Sequence, residues 1–410
     1  MRVLCVFGEH NYGDPKRGLS YEYCNFLPAF RRLGHETLFF ECWNRSLYSG
    51  FRQMNRALLE VVEQHRPDVI FALLMNYEIW METWDILRRA GIAATVNWAA
   101  DDSWKYQQFS KLVAPHFHAF TTTYADIHRR YQADGMSHVW LSQWAANPEG
   151  LQPPLPANEC QYPVSFVGTA HGKRRAWVYR LRQRGIEVAC FGYGWPSGPV
   201  EAADIPRIVR SSVISLNFAN VLLQWDGGFG APKNQIKART FEVPGSGGFL
   251  LTEPAEGLER YYVPGREVAV FRDFDDLERK IRYYLSHLEQ RDAVARSGYE
   301  RTRAEHTYDQ RFAPVLAFAL SQKDRCSEQA GDPRPGRVDW EAFAAAAERH
   351  AMNPALSMLK RALVPACSMI WGQQRGPRAA RRLVFEMSWR VLGARTYSAA
   401  GLPGRMFYAE

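Results

Sequence analysis

The sequence is poor in the patterns that would tie it to a metal, a disulfide framework or a membrane span. Its seven cysteines (Cys5, Cys24, Cys42, Cys160, Cys190, Cys326 and Cys367) lie far apart, with no C-x-x-C pair and no neighbouring histidines at metal-type spacing. That argues against both a stapled scaffold and a structural zinc. No run of eighteen apolar residues occurs, so no segment reads as a membrane-spanning helix. The opening residues, MRVLCVFGEH, run straight into a strand pattern rather than a basic and long apolar leader, so no signal peptide is expected. A reducing cytoplasm fits all three. The dinucleotide fingerprint G-x-G-x-x-G is also missing from the loop after the first apolar run.

Charge of one sign is scarce in the body. Residues 351–410 hold nine Lys and Arg against two acidic residues, whereas the first 350 residues carry 42 basic against 41 acidic. The net charge of +8 therefore belongs to the tail, and the body is not built as a nucleic-acid binder. The 46% hydrophobic and 23% charged residues describe an ordinary globular chain, long enough for two or three domains.

What is present is a repeated alternation of short apolar runs and helical patterns. RVLCVFG (2–8), ETLFFEC, DVIFALL (68–74), AATVNWAADD (93–102), HAFTTT (118–123) and HVWLSQWAA read as buried parallel strands with helices between them. A proline-rich stretch at 148–161 reads as a linker, after which the pattern restarts with PVSFVGT (163–169), EVACFGYG (187–194) and VISLNFA (213–219). Two doubly wound halves are expected: an acceptor domain over 1–147 and a donor domain over 162–321, facing a cleft, with a helical basic extension over 322–410.

The stretch QIKARTFEVPGSGGFLLTE (235–253) stands out in the second half. Lys237 and Arg239 precede a short helix carrying Glu242, followed by Gly245, Ser246, Gly247 and Gly248 and an apolar strand. Glycines in such a turn let backbone N–H groups approach a phosphate, and the cations beside them suit the same ligand.

Residues 162–311 resemble the CgeB-like, group 1 glycosyltransferases of GT-B fold. VSFVGT followed by Arg174, the FGYGW turn, SSVISLNF, RTFEVPGSGGFLLTE and the closing YYLSH and EHTYDQR segments carry the likeness. GLSYEYCNFLPAFRRLGHE and NWAADD extend it more loosely into the first half. The resemblance implies a hexosyltransferase-like enzyme that moves a sugar from a nucleotide-diphosphate sugar to the hydroxyl of a glycan, lipid-linked or small-molecule acceptor. It leans towards retention of anomeric configuration and implies no cofactor. It also implies a donor set of Arg174, Asn217, Asn234, Lys237, Arg239, Glu242 and the 245–248 amides. Where the family pattern has an upstream glutamate, this chain has Asn234, which can hydrogen-bond a sugar hydroxyl but cannot act as a carboxylate.

In such a transfer the leaving nucleoside diphosphate gains negative charge, and fixed cations such as Arg174 and Lys237 lower the barrier without a metal. On the acceptor side, Asp101 and Asp102 follow a strand end, where one carboxylate can take the acceptor proton. They can equally cap the next helix. His10, Asn11 and Gly13 form a second acceptor-side group in the first loop. The tail's amphipathic helices either lie on the inner face of an anionic membrane or pack against the body. A nucleotide-sugar epimerase and a non-catalytic sugar-nucleotide-binding scaffold are the alternatives to transfer.

Overall fold

The computed structural model describes residues 1–76, 78–219, 234–330, 336–373, 375–399 and 401–407. They form two compact units, one of Met1–Ser142 with Ala313–Glu410 and one of Gln143–Phe312.

In the first unit the apolar runs become six parallel strands: β1 (Arg2–Phe7), β2 (Glu36–Glu41), β3 (Val69–Ala72), β4 (Ala94–Trp98), β5 (Ala119–Thr122) and β6 (Val139–Leu141). Their order is β2-β1-β3-β4-β5-β6. Strands β3 to β5 are buried along their whole length because helices cover both faces, which is why they read as unbroken apolar runs. The helices are α1 (Tyr21–Arg32), α2 (Phe51–His65), α3 (Met81–Ala90), the short α4 (Asp102–Lys105) and α5 (Lys111–Val113) around a π turn, and α6 (Ala125–Ala133). Ser20 starts α1, its hydroxyl accepting from the Tyr23 N–H at 3.1 Å. Helix α2 begins at Phe51, just after Gly50, and Arg45–Leu47 forms a separate 3₁₀ turn before it.

The second unit is a five-stranded parallel sheet in the order β11-β10-β9-β7-β8. Its strands are β7 (Tyr162–Val167), β8 (Ala189–Phe191), β9 (Ser212–Asn217), β10 (Leu250–Thr252) and β11 (Ala269–Val270). It is covered by α7 (Lys173–Gln183), α8 (Ile205–Arg210), α9 (Arg239–Gly245), α10 (Phe274–Ser286) and α11 (Leu288–Glu305). The stretch 148–161, expected as a linker, runs along this unit instead: Gln152 N–H donates to the Gly245 carbonyl, Arg291 to the Leu155 carbonyl and Arg210 to the Pro153 carbonyl. Its prolines suit that path, since they have no N–H to leave unsatisfied.

Helix α12 (Tyr308–Ala330) leads back to the first unit, followed by α13 (Trp340–His350), α14 (Pro354–Trp371), α15 (Gly376–Leu392) and α16 (Leu402–Phe407). Val338, Phe343, Ala347 and Tyr397 join the first unit's core. His350 stacks on Trp80 with ring centres 4.1 Å apart and bonds Glu82 through Nε2 at 2.9 Å. The other Glu82 oxygen accepts from the Ala399 N–H at 2.8 Å. Trp340 Nε1 donates to Glu63 at 3.0 Å, and the Tyr397 hydroxyl to the Gln108 carbonyl. The extension is therefore partly core, each buried Val, Phe or Tyr contributing about 1.5–3 kcal/mol. All seven cysteines are free. No helix among the described residues is long and apolar enough to cross a membrane.

Candidate active site

Each sheet reverses its direction of winding once: between β1 and β3 in the first unit, and between β7 and β9 in the second. Loops leaving neighbouring strands at such a point diverge and leave a crevice outside the carboxyl ends, where α/β sheets bind ligands. The chemically distinctive residues of both units collect at these two places.

In the second unit β7 ends at Val167, and the loop Gly168–Gly172 feeds the positive end of α7. Arg174 lies in the first turn of α7 and is only 4% exposed. Its guanidinium donates to the Thr169 carbonyl at 3.1 Å and the Phe218 carbonyl at 3.2 Å, which ties the loops after β7 and β9 across the switch point. The same group lies over the Phe166 ring at 5.5 Å, and the Arg239 guanidinium lies over that ring at 5.8 Å. Gly168 makes room for the second cation, since a Cβ there would meet Arg239 Nη1 at 3.2 Å. Burial and then the Arg239 charge pull Arg174 down to about 10. His171 is lowered to about 4 by burial and by Arg174 and Lys237, so it is neutral at pH 7 and its Nδ1 is buried without a partner. The positive field also meets Glu253, at the end of β10: Glu253 is 2% exposed, pairs with Lys173 and accepts from the Ala219 N–H at 2.9 Å.

Sequence reasoning named Arg174, Lys237 and Arg239 in this cluster but missed His171 and Glu253. Glu253 closes the run FLLTE, and its position one residue past a buried strand was the available signal. Asn217 ends β9, donates to Thr252 Oγ1 at 3.0 Å and keeps a buried Oδ1 without a partner. Asn234 donates its amide to the Pro254 carbonyl at 2.8 Å, so that donor is occupied by the chain itself. Glu242 is half-buried on α9.

The glycine turn corrects the sequence reading. Parallel crossovers place the carboxyl end of α9 at the amino end of β10, the opposite edge of the sheet from Arg174 and Glu253. The Ser246, Gly247 and Gly248 N–H groups donate to the carbonyls of Glu242, Pro244 and Val243. Gly245, Gly247 and Gly248 are small because Ala146, the Gln152 carbonyl and Val209 would stand 2.8, 2.6 and 2.4 Å from an added Cβ. These amides are not phosphate donors, and the Arg239 end of the motif alone reaches the switch point.

In the first unit a cavity of about 200 Å³ opens at the β1/β3 switch point. Asn11 and Tyr12 line it from the loop after β1, Met75 from the loop after β3, Asp101 and Lys105 from beyond β4, and Glu22 from α1. Glu22 is nine-tenths buried, and burial pushes its carboxyl up to about 7; its own N–H opposes the shift and the Asp101 charge adds to it. Lys105 is lowered by burial, with Asp101 and the buried Glu78 pulling the other way, and its ammonium donates to the Met75 carbonyl at 2.9 Å. Tyr12 adopts a left-handed conformation with φ of 59° and presents an exposed ring, an arrangement that costs roughly 1–2 kcal/mol.

Of the acceptor-side residues named from the sequence, Asp101 and Asn11 reach this cavity. Asn11 also holds its loop, donating to the Arg17 and Leu19 carbonyls at 3.1 and 2.8 Å. Asp102 does not reach the cavity: it starts α4, is 1% exposed, and burial raises its carboxyl far above the usual range despite the Thr122 hydroxyl. A carboxyl sealed in the core does not face the cavity, so the structure places Asp102 away from the other acceptor-side residues. Gly13 serves the backbone, its φ of 70° and the Trp43 carbonyl 2.2 Å from a would-be Cβ admitting no side chain. His10 sits 3.8 Å from Glu9 and does not line the cavity. Glu22 and Lys105 were missed because a glutamate in a helix's first turn and a lysine in its last look like ordinary dipole partners.

Comparison with known proteins bears on both units. Three solved structures share the architecture at low identity: a glycosyltransferase from Rickettsia africae ESF-5 (TM-score 0.53, 9% identity, 78% of this chain and 98% of that one); the sucrose-phosphate synthase of Thermosynechococcus elongatus (0.51, 11%, 81% and 100%); and AviGT4, a glycosyltransferase involved in avilamycin A biosynthesis (0.50, 13%, 78% and 98%). The fold is GT-B. The family model described as glycosyl transferase-like matches residues 173–317, so the GT-B unit that holds Arg174, Lys237, Arg239 and Glu253 is the part with sequence-level support. No curated protein matches the chain. Among the described residues no group of three or more His, Cys, Asp and Glu could hold a metal ion.

Proposed function

We propose that the protein is a glycosyltransferase that moves a sugar from a nucleotide-diphosphate sugar to an acceptor hydroxyl. The observation that carries this is the second unit's cation cluster, with Arg174 tying the loops after β7 and β9 and Lys173, Lys237 and Arg239 around it. A diphosphate leaving group brings negative charge to meet these cations, and Arg174 and Arg239 are held ready by the Phe166 ring before it arrives. Fixed cations do the work a divalent ion would do, so EDTA is expected to leave the rate unchanged. Glu242 contacts the nucleoside ribose. We assign the acceptor to the first unit's cavity, with Glu22, poised near neutrality, taking the acceptor proton and Asp101 and Tyr12 orienting its ring. The motif likeness over 162–311 extends this reading to the CgeB-like, group 1 transferases and to a hexose donor.

Titration calorimetry with UDP and GDP tests the donor claim. Arg174→Ala is expected to weaken nucleotide binding at least tenfold, about 1.4 kcal/mol or more. A bound diphosphate also favours the charged imidazole of His171, so binding near pH 5.5, between its lowered value of about 4 and the ordinary histidine range, is expected to take up a proton. Buffers of different ionisation heat report that uptake, and His171→Gln abolishes it. Nucleotide binding that is unchanged in both variants would sink the assignment. Turnover of a donor panel then separates a transferase from a binding scaffold.

A further inference from the structure

Helices α14 and α15 pack as a hairpin that leaves large apolar side chains exposed. On α14, Met358 and Met369 lie eleven residues apart, three helical turns, on one side of the helix, and Ile370 and Trp371 follow at its end. On α15, Met387 and Val391 are one turn apart. All six are exposed, Met369 at 84% and Val391 at 80%. The inner faces are used otherwise: Ser368 and Gly376 cross so closely that a Cβ on Gly376 would lie 2.3 Å from Ser368 Cα. Single exposed apolar side chains need no explanation, but six on two paired helices, four of them at least 70% exposed, do.

The charge around this face identifies its partner. Residues 351–407 contain nine Lys and Arg and a single acid, Glu386, which already accepts from Arg390 and from Trp389 Nε1 at 3.3 Å each. Arg375 and Arg378 are exposed beside Met369, Ile370 and Trp371 at the turn of the hairpin. A second copy of this face would bring arginines against arginines with no acids to meet them. An anionic lipid surface offers apolar depth for the methionines, headgroup phosphates for the arginines, and an interfacial level suited to Trp371. Neither helix crosses the bilayer.

We propose that the α14–α15 hairpin docks the protein peripherally on an anionic membrane surface. The proposal stands on the hairpin alone and does not depend on the sugar-transfer reading. Its test is flotation of the full chain with vesicles of phosphatidylcholine alone or mixed with phosphatidylglycerol. The chain is expected to float with the mixed vesicles, to be released by salt, and to stay behind with phosphatidylcholine alone. Met369→Glu with Ile370→Glu, both on exposed positions, is expected to weaken partition at least about tenfold while thermal unfolding and nucleotide binding stay unchanged. Absence of flotation, or equal flotation of the variant, overturns the proposal. So does a dimer in sedimentation that the same variant dissociates, which would place a second copy on this face.

Discussion

Two adjacent aspartates show what one residue's environment decides. Asp101 is exposed at the mouth of the first unit's cavity, while Asp102, one step along the chain, is sealed in the core, where burial raises its carboxyl above the ordinary range. Glu22 stands between these extremes. Because its folded value, about 7, lies above the ordinary carboxylate value of 4.5, the folded protein holds that proton more tightly than the unfolded chain. Stability is therefore lost as pH climbs from about 4.5 to about 7, whereas the base forms in the folded protein only around pH 7. Transfer measured as kcat/KM is expected to rise through about pH 7, and Glu22→Gln to remove that limb while raising the thermal midpoint at about pH 8 and leaving it little changed near pH 4. The sequence showed the aspartate pair and its position after a strand, but not which member faces water. Residue type and spacing do not report burial by elements far away in the chain.

At the scale of elements, most of the architecture was legible. Runs such as VIFA and SVISLN are buried throughout because helices cover both faces, and that reading located the strands within a few residues. The motif 235–253 was legible as a unit but not as a geometry. Closeness in sequence suggested one ligand site, whereas a crossover helix carries its two ends to opposite edges of the sheet. The glycines and Arg239 consequently answer to different demands. Gly248→Ala, whose Cβ would meet Val209 Cγ1 at 2.4 Å and Val243 Cγ1 at 3.0 Å, is expected to lower stability by about 1–3 kcal/mol in denaturant unfolding. Its affinity for nucleotide, read by calorimetry, is expected to match the parent's. The proline-rich stretch is a related case: prolines mark a path without free N–H groups, and a path hydrogen-bonded along one unit meets that condition as well as a free linker.

For the whole molecule, the division of the chain matters more than the division of the fold. The first unit is assembled from both ends of the sequence, with the second inserted between Ser142 and Ala313. A chain ending at Ala330 loses Val338, Phe343 and Tyr397 from the first core and uncovers Trp80 and Glu82. It is expected to lose on the order of 5 kcal/mol from the first unit's unfolding transition, with the second unit's transition unmoved in calorimetric scans. The same dependence sets an order of events on the ribosome, where residues emerge from the amino end. The inserted sheet is complete once residue 312 has been made, but the earlier sheet must wait, apolar flank uncovered, for His350 and Tyr397 to arrive. The first half to be translated is thus the last to finish folding, and through that interval it is the half most in need of a chaperone.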